Sequence, residues 1–301
     1  RQRQMCIRDR VSTAKGFQFM EQFFPEFFAG QGLPAEQRIV AANDGVLELG
    51  QHSLHFVYAP MVHWPEVMMT YEATEKILFA ADGFGKFGAL DVEEEWTDEA
   101  RRYYIGIVGK YGPQVQAVLK KAAGLDIQTI CSLHGPVLKE NLGFYLEKYD
   151  RWSSYRPEES GVVIAYASVY GNTRNAAEYL ADVLQEKGQK TVLYDLARCD
   201  KAKAVADAFR YDRLVLAGIT YNGDLFPCMR SYIEGLTERN YQNRKVAIIE
   251  NGTWAPMAGK LILGMFEKSK NLTFTETTVS IKSAMNEQNK KEIGKLAEEL
   301  S

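Results

Sequence analysis

The sequence predicts two domains of different class, an α+β domain followed by an α/β domain with a doubly wound parallel sheet. From about Val162 onward, strand-like apolar runs alternate regularly with helix-like segments, which is typical of a layered α/β domain. Before Pro157, short strand-like runs are grouped ahead of longer helical stretches, which is typical of α+β order. The stretch YDRWSSYRPEES is the predicted linker.

Length and composition limit the functional classes. The chain has 301 residues, enough to bury two hydrophobic cores, and its 46% hydrophobic and 25% charged content is that of an ordinary globular protein. A net charge of -3 provides no basic surface for nucleic acid. The apolar runs are only strand-length, so we expect no membrane span. Four cysteines without CxxC spacing fit buried thiols in a reducing cytoplasm.

The first ten residues, RQRQMCIRDR, differ from the rest of the chain. They are strongly basic and have neither apolar periodicity nor the apolar core of a signal peptide. We therefore expect residues 1–10 to be a non-native segment, with a disordered native arm as the alternative. The next residues include KGFQFMEQFFPEFF, which reads as a helix. The domains are then predicted at residues 11–156 and 157–301.

The elements of the first domain follow from its apolar runs. Helices are expected near residues 98–124 and 139–152. The predicted strands are RIVAAND, VLELG, SLHFVYA, KILFAAD and IQTICSL.

The second domain alternates more regularly. Its predicted helices begin near Asn172, Lys201, Cys228 and Pro256, and a last helix covers residues 287–300. The predicted strands are GVVIAYA, KTVLYDL, RLVLAGI, KVAIIEN and TFTETTVSI.

Three loops of the second domain are candidates for a ligand site. Each follows a predicted strand, and the carboxyl ends of parallel strands meet at one edge of a doubly wound sheet. Backbone amides and a helix dipole at a helix start favour an anion such as phosphate. The candidate residues are Ser168, Val169, Tyr170, Gly171, Asn172 and Thr173, then Thr220, Tyr221, Asn222 and Gly223, and finally Asn251, Gly252, Thr253 and Trp254.

Simpler interpretations of these loops remain open. Asn172 or Thr173 could simply cap a helix, since Asn and Thr do so frequently, and Trp254 alone would more often be a core residue. The chain has no GxxxxGK[ST] motif, and we expect no GxGxxG turn after a strand, so ATP and dinucleotides are not favoured.

Three residues of the first domain have side chains suited to a metal. His63, Asp82 and His134 each stand at the end of a predicted strand and before Gly or Trp-Pro, and such a set suits iron, zinc or manganese. Unrelated loop residues are the alternative. His52 and His55 are expected to be structural or solvated, because a strand would point them to opposite faces.

The second domain resembles flavodoxins, which hold the FMN phosphate with hydroxyls and amides and place the flavin ring between two further loops. The whole chain from residue 11, with its HWPE, LFAADGFG and SLHG segments, resembles the flavodiiron proteins. That resemblance implies a metallo-β-lactamase-like domain, here partial, followed by a flavodoxin-like domain. It also implies that His63 and His134 each ligate one iron and that Asp82 bridges the two.

The resemblance implies an oxidoreductase that passes electrons from FMN to a non-haem di-iron site and reduces O2 to water, NO to N2O, or both. It further implies a head-to-tail homodimer in the cytoplasm, with rubredoxin or a reduced deazaflavin as electron donor. Trp64, beside His63, would line the substrate pocket or belong to the core.

The chain departs from the family pattern in one respect. The HxExDH segment that supplies the other iron ligands is absent from the sequence, and an N-terminal truncation would explain this. We therefore expect FMN binding but weak or no iron binding, and an inactive chain as written. The alternative is an FMN electron carrier fused to a metal-free docking scaffold. A zinc hydrolase with an accessory domain is a weaker possibility.

Overall fold

The computed structural model describes residues 9–26 and 33–301, and it divides into two compact units. Unit 1 ends at Ser154 and unit 2 runs from Tyr155 to Ser301. The predicted boundary between residues 156 and 157 lies two residues later. Residues 1–8, which include Cys6 and most of the segment predicted to be non-native, lie outside the described residues. Within the described ranges, no helix has the length and apolar character needed to cross a membrane.

Unit 1 is built on a mixed six-stranded sheet, in which β3 to β8 are neighbours in chain order. All of its pairings are antiparallel except β6 with β7. β1 and β2 form a separate parallel pair that begins at Arg10. The strands are β1 (Arg10–Ser12), β2 (Arg38–Val40), β3 (Val46–Leu49), β4 (His52–Tyr58), β5 (Met68–Glu72), β6 (Ile77–Phe79), β7 (Thr129–Cys131) and β8 (Val137–Leu138).

The helices of unit 1 show one clear difference from the sequence-based expectation. They are α1 (Ala14–Phe23), α2 (Trp96–Tyr103), α3 (Gly112–Ala122) and α4 (Leu142–Ser153). Residues 98–124 are not one helix, because a π-helical turn and a 3-10 turn separate α2 from α3. Pro113 lies in the first turn of α3, where its missing N–H costs nothing. A new helix therefore starts at this point.

Unit 2 is a five-stranded parallel sheet with the order β10-β9-β11-β13-β14, and β12 forms a short antiparallel hairpin with β11. The predicted doubly wound sheet is confirmed, and every predicted strand ends within two residues of the observed one. The strands are β9 (Glu159–Tyr166), β10 (Thr191–Asp195), β11 (Tyr211–Tyr221), β12 (Asp224–Leu225), β13 (Arg244–Asn251) and β14 (Leu272–Ile281).

Helices cover both faces of this sheet. They are α5 (Asn172–Glu186), α6 (Lys201–Arg210), α7 (Pro227–Thr237), α8 (Ala258–Met265) and α9 (Glu287–Glu299). α5 and α9 share one core with alternate sheet residues such as Ile164 and Ala217. The next residue, Gly218, faces α7 and α8 through Met229 and Ile262. With both faces covered, the carboxyl edge of the strands remains open for a ligand.

The opposite edge of the unit 2 sheet is held by a buried arginine. Arg244 at the start of β13 is 3% exposed. Its Nε donates to the carbonyl of Tyr211 at 2.7 Å, and its Nη1 donates to the carbonyls of Tyr155 at 2.7 Å and Gln242 at 3.0 Å. Buried carbonyls are costly to leave without a donor. One side chain therefore connects several segments at the amino ends of the strands.

Replacing Arg244 with Met should lower the free energy of unfolding by about 3 kcal/mol, because several buried carbonyls lose their donors at once. Arg198→Met is the matched control, since the Arg198 side chain is 87% exposed. Chemical denaturation of the two variants measures the difference. Equal midpoints for both would contradict this role of Arg244.

Candidate functional site

The carboxyl edge of the unit 2 sheet contains a cavity of about 520 Å³. All the predicted ligand-binding residues except Gly171 line it, and the structure thus brings the three predicted loops together. Four further residues, which the sequence did not indicate, also line the cavity: Ile219, Ala255, Met257 and Ser283. This volume is in the range of small-molecule and cofactor pockets.

The first loop contains a buried hydroxyl without a protein partner, at a residue that lines the cavity. The Ser168 hydroxyl is buried and has no hydrogen-bond partner. Helix α5 begins at Asn172, and its N-cap is Gly171, with a φ of 88° and no side-chain hydrogen bond. The interpretation of Asn172 or Thr173 as a helix cap is therefore wrong. An uncapped helix N-terminus beside a buried hydroxyl provides donors for an anion.

The second loop is a tight hairpin between β11 and β12. Tyr221 pairs with Asp224, and Asn222 and Gly223 both have positive φ, 50° and 71°. Positive φ at both central residues is typical of a type I′ turn, which Asn-Gly favours. The turn leaves Tyr221 47% exposed, with its ring 5.4 Å from that of Phe226. Tyr221 can therefore offer an aromatic face to a ligand.

The third loop is held in place by Ser283, which follows β14. Asn251 is buried, donates to the Ser283 carbonyl at 2.9 Å and accepts from the Ser283 amide at 3.1 Å. The hydroxyls of Thr253 and Ser283 lie 2.8 Å apart. Trp254 is 89% exposed, so its interpretation as a core residue is wrong. The loop thus presents an indole on a supported backbone.

Thr220 has a structural task in addition to its place in the cavity wall. Its hydroxyl oxygen accepts from the amides of Met257 at 2.8 Å and Ala258 at 3.2 Å. Both amides lie at the start of α8, where backbone N–H groups lack partners within the helix. A protein side chain therefore accepts hydrogen bonds from the amides at the start of α8, whereas no side chain does so at the start of α5.

In unit 1, the three predicted metal ligands lie together. The Nε2 atom of His63 is 3.3 Å from Asp82 Oδ2, and the Nε2 atom of His134 is 3.2 Å from Asp82 Oδ1. Each histidine thus faces a different oxygen of one carboxylate. One carboxylate is thus shared between two histidines.

Backbone contacts hold the Asp82 and His134 loops against each other. The amide of Lys86 donates to the His134 carbonyl at 2.9 Å, and the amide of Leu133 donates to the Ala81 carbonyl at 2.8 Å. A Cβ atom at Gly85 would lie 2.7 Å from the His134 carbonyl oxygen. Glycine at position 85 therefore permits the close approach of the two loops.

Tyr103 at the end of α2 is a site residue that sequence reasoning missed. It is buried, its hydroxyl hydrogen-bonds to Asp82, and its ring lies 5.9 Å from that of His134. Burial, together with the nearby Asp82 carboxylate, raises the pKa of Tyr103. The phenol therefore stays protonated and donates to Asp82. No local motif marks it, because its role arises from tertiary packing.

Of the other predicted features of unit 1, His52 and His55 lie outside this cluster and Trp64 lies beside it. His52 Nδ1 is 3.1 Å from Glu72 Oε1, and the His55 ring is 6.2 Å from the Tyr71 ring. Trp64 is 40% exposed, packs against Phe19 and has its ring 6.3 Å from that of His63. The His52 and His55 contacts lie within the sheet, whereas Trp64 contacts both α1 and a candidate ligand.

One expectation about nucleotide motifs is wrong. Residues 83–88, GFGKFG, have the GxGxxG spacing and follow β6. The next helix, α2, starts only at Trp96. These glycines therefore do not open a helix, as a dinucleotide-binding turn must.

Comparison with known proteins agrees with this division into units. The family profile described as Flavodoxin domain matches residues 163–291. An uncharacterized protein of Methanocaldococcus jannaschii is 28% identical over 195 residues, which cover 63% of this chain and 49% of that protein. The anaerobic nitric oxide reductase flavorubredoxin of Aeromonas hydrophila is 28% identical over 220 residues, 69% of this chain and 44% of the relative. The chain thus spans less than half the length of these curated relatives.

Solved structures match nearly the whole chain. Rubredoxin oxygen:oxidoreductase from Desulfovibrio gigas has a TM-score of 0.86 at 21% identity, covering 96% of this chain and 73% of that one. The flavodiiron protein from Giardia intestinalis gives a TM-score of 0.86 at 22% identity, with the same coverage. The fold is therefore a β-lactamase-like domain followed by a flavodoxin-like domain. The chain is therefore similar in fold to flavodiiron proteins, and the profile match supports the flavodoxin-like character of unit 2.

Gly85→Ala should disrupt the His63, Asp82 and His134 cluster, because the new methyl group would press against the His134 carbonyl. We expect a loss of about 2 kcal/mol in the free energy of unfolding. Gly143→Ala is the matched control, because nothing lies within 4 Å of a Cβ at that position in α4, and alanine is the better helix former. Thermal unfolding of both variants measures the effect. A Gly85→Ala variant as stable as the control would show that the two loops do not need this close approach.

Proposed function

We propose that the protein is an oxidoreductase that takes up electrons at FMN in the unit 2 cavity and passes them to a di-iron site in unit 1. Similarity to the flavodiiron protein of Giardia intestinalis and the match to the Flavodoxin domain profile support both cofactors. The reaction would reduce O2 to water, NO to N2O, or both. Rubredoxin or a reduced deazaflavin would supply the electrons, and a head-to-tail homodimer would be the functional unit.

The observation that carries the FMN assignment is the unpartnered Ser168 hydroxyl beside the uncapped start of α5. A buried polar atom without a partner is costly unless a ligand supplies one. The loop itself, residues 168–173, contains no charged side chain. An FMN phosphate would receive hydrogen bonds from this hydroxyl and from the first amides of α5, and the residues therefore fit the group.

The remaining loops fit the ring of the same cofactor. Tyr221 and Trp254 are aromatic and exposed at the cavity, so they can stack on a planar ring. Asn251 and Ser283 fix the backbone that carries Trp254. FMN, when bound, would supply the capacity to accept and release electrons. The protein residues would set its position and shield it from water.

The three unit 1 ligands fit a di-iron centre only in part. Asp82 lies between His63 and His134 as a bridging carboxylate would, and Tyr103 donates to it. Among residues 9–26 and 33–301, however, no group of three or more His, Cys, Asp or Glu side chains is arranged to hold a metal ion. Two irons need more donors than these. This observation favours, as a second candidate, an FMN electron carrier on a metal-free scaffold.

Ser168→Ala should change FMN binding and stability in opposite directions. Loss of the hydroxyl should weaken FMN binding about tenfold or more, because a hydrogen bond to a charged phosphate is lost. The FMN-free protein should gain about 1 kcal/mol in stability, since an unsatisfied buried group disappears. Quenching of FMN fluorescence and denaturation of the FMN-free protein measure the two effects.

Ser231→Ala on α7 is the control for this change, because Ser231 is exposed and outside the cavity. Thr173→Ala should weaken FMN binding in the same direction as Ser168→Ala. Unchanged FMN affinity in both the Ser168 and Thr173 variants would remove these residues from the site.

The 301-residue chain should retain fewer than two irons after anaerobic incubation with Fe²⁺ and desalting, because its donor set is incomplete. Asp82→Asn should reduce the retained iron further. Asp126→Asn is the control, because the Asp126 carboxylate is 66% exposed and pairs with Lys76. Elemental analysis measures the iron. Two tightly bound irons per chain would refute the carrier alternative and show that the donor set is sufficient.

A further inference from the structure

Unit 1 contains an apolar cavity of about 20 Å³, and two of the segments that line it adjoin candidate metal ligands in the chain. It lies between the sheet and the helices α3 and α4. Its lining includes Val62, Leu78, Gly83, Phe84, Val115, Leu119 and Tyr149. About 10–15 Å³ is enough for one water molecule, whereas an apolar cavity of about 150 Å³ holds benzene. The size therefore suits one small molecule and excludes an aromatic ring.

The polar groups near the cavity already have partners. The Tyr149 hydroxyl accepts from the Phe84 amide at 2.6 Å, and the Phe84 carbonyl accepts from Trp96 Nε1 at 3.3 Å. The amide of Gly83 donates to the Ala80 carbonyl at 2.9 Å. A buried water needs two to four polar partners. Water is therefore a poor occupant, and a small apolar molecule is a better one.

The cavity wall and the candidate metal cluster share two loops. Val62 in the wall directly precedes His63, and Gly83 and Phe84 directly follow Asp82. A molecule in the cavity would thus contact the same backbone segments that position two of the three candidate ligands. The cavity is therefore in a position to hold a small substrate of that cluster.

We propose that this cavity binds a single small apolar gas molecule and holds it next to the His63, Asp82 and His134 cluster. The identification of the physiological occupant as O2 or NO rests on the proposed function. Gas binding itself depends only on the size and apolar walls of the cavity. It therefore requires neither FMN nor iron.

The test uses dissolved O2, which is paramagnetic and speeds the relaxation of nearby methyl protons. Methyl NMR spectra of the cofactor-free protein are recorded under O2 and under argon. The methyls of Val62, Leu78 and Val115 should show an enhancement several-fold larger than that of Ile130, which is fully buried but outside the cavity. Equal enhancement at the cavity methyls and at Ile130 would overturn the proposal.

Two variants that act in opposite directions strengthen the test. Val115→Leu adds a methylene group to the cavity and should abolish the excess enhancement, whereas Leu119→Ala enlarges the cavity and should increase it. Val40→Leu adds the same group at a side chain that is 57% exposed, and should leave the enhancement unchanged. An enhancement that stays at the wild-type value in both Val115→Leu and Leu119→Ala would also overturn the proposal. Because no cofactor is present, failure of FMN or iron binding leaves this outcome unaffected.

Discussion

The flavin assignment depends on one physical constraint, a buried hydroxyl and a helix start that the protein itself does not satisfy. Ser168 lies two residues after β9, the first strand of unit 2 in chain order, and α5 begins four residues later. The protein satisfies the equivalent start of α8 with Thr220. The first backbone amides of α8 thus donate to a side chain of the protein, whereas no side chain caps the start of α5. The unsatisfied helix start points to a ligand that carries a negative charge.

The rest of the unit 2 site is arranged around that anion position. Helices cover both faces of the sheet, and the loops after four strands line one cavity at its carboxyl edge. The Asn-Gly hairpin and the Asn251–Ser283 contacts fix two of these loops without a ligand. The aromatic residues that they carry are exposed rather than packed. A largely preformed pocket of this kind reduces the conformational entropy that is lost when a ligand binds.

In unit 1, close packing of two backbone loops brings the Asp82 carboxylate and the His134 imidazole together. Gly85 allows the Asp82 and His134 loops to approach, and Tyr103 donates to the carboxylate from α2. The same loops form one wall of the apolar cavity. Polar ligands on one side and a dry cavity on the other are compatible with chemistry on a small, uncharged substrate.

Much of this could be predicted from the sequence, and the exceptions have a common physical cause. The inner strands β9, β11 and β13 of unit 2 are mostly buried on both faces, so each appears as an apolar run followed by a loop. β5 was missed because its sequence, MMTYE, gains its strand character from pairing with β4 and β6. Ser283 and Tyr103 were missed because their roles depend on contacts distant in sequence. No local pattern near either residue indicates them.

The most direct test of the central claim compares FMN with riboflavin, which has the same ring but lacks the phosphate. Isothermal titration of the purified chain with each ligand gives the two affinities. If the Ser168 hydroxyl and the α5 amides hold a phosphate, FMN should bind at least about a hundredfold more tightly than riboflavin. Equal affinities, or no binding of either ligand, would contradict the account.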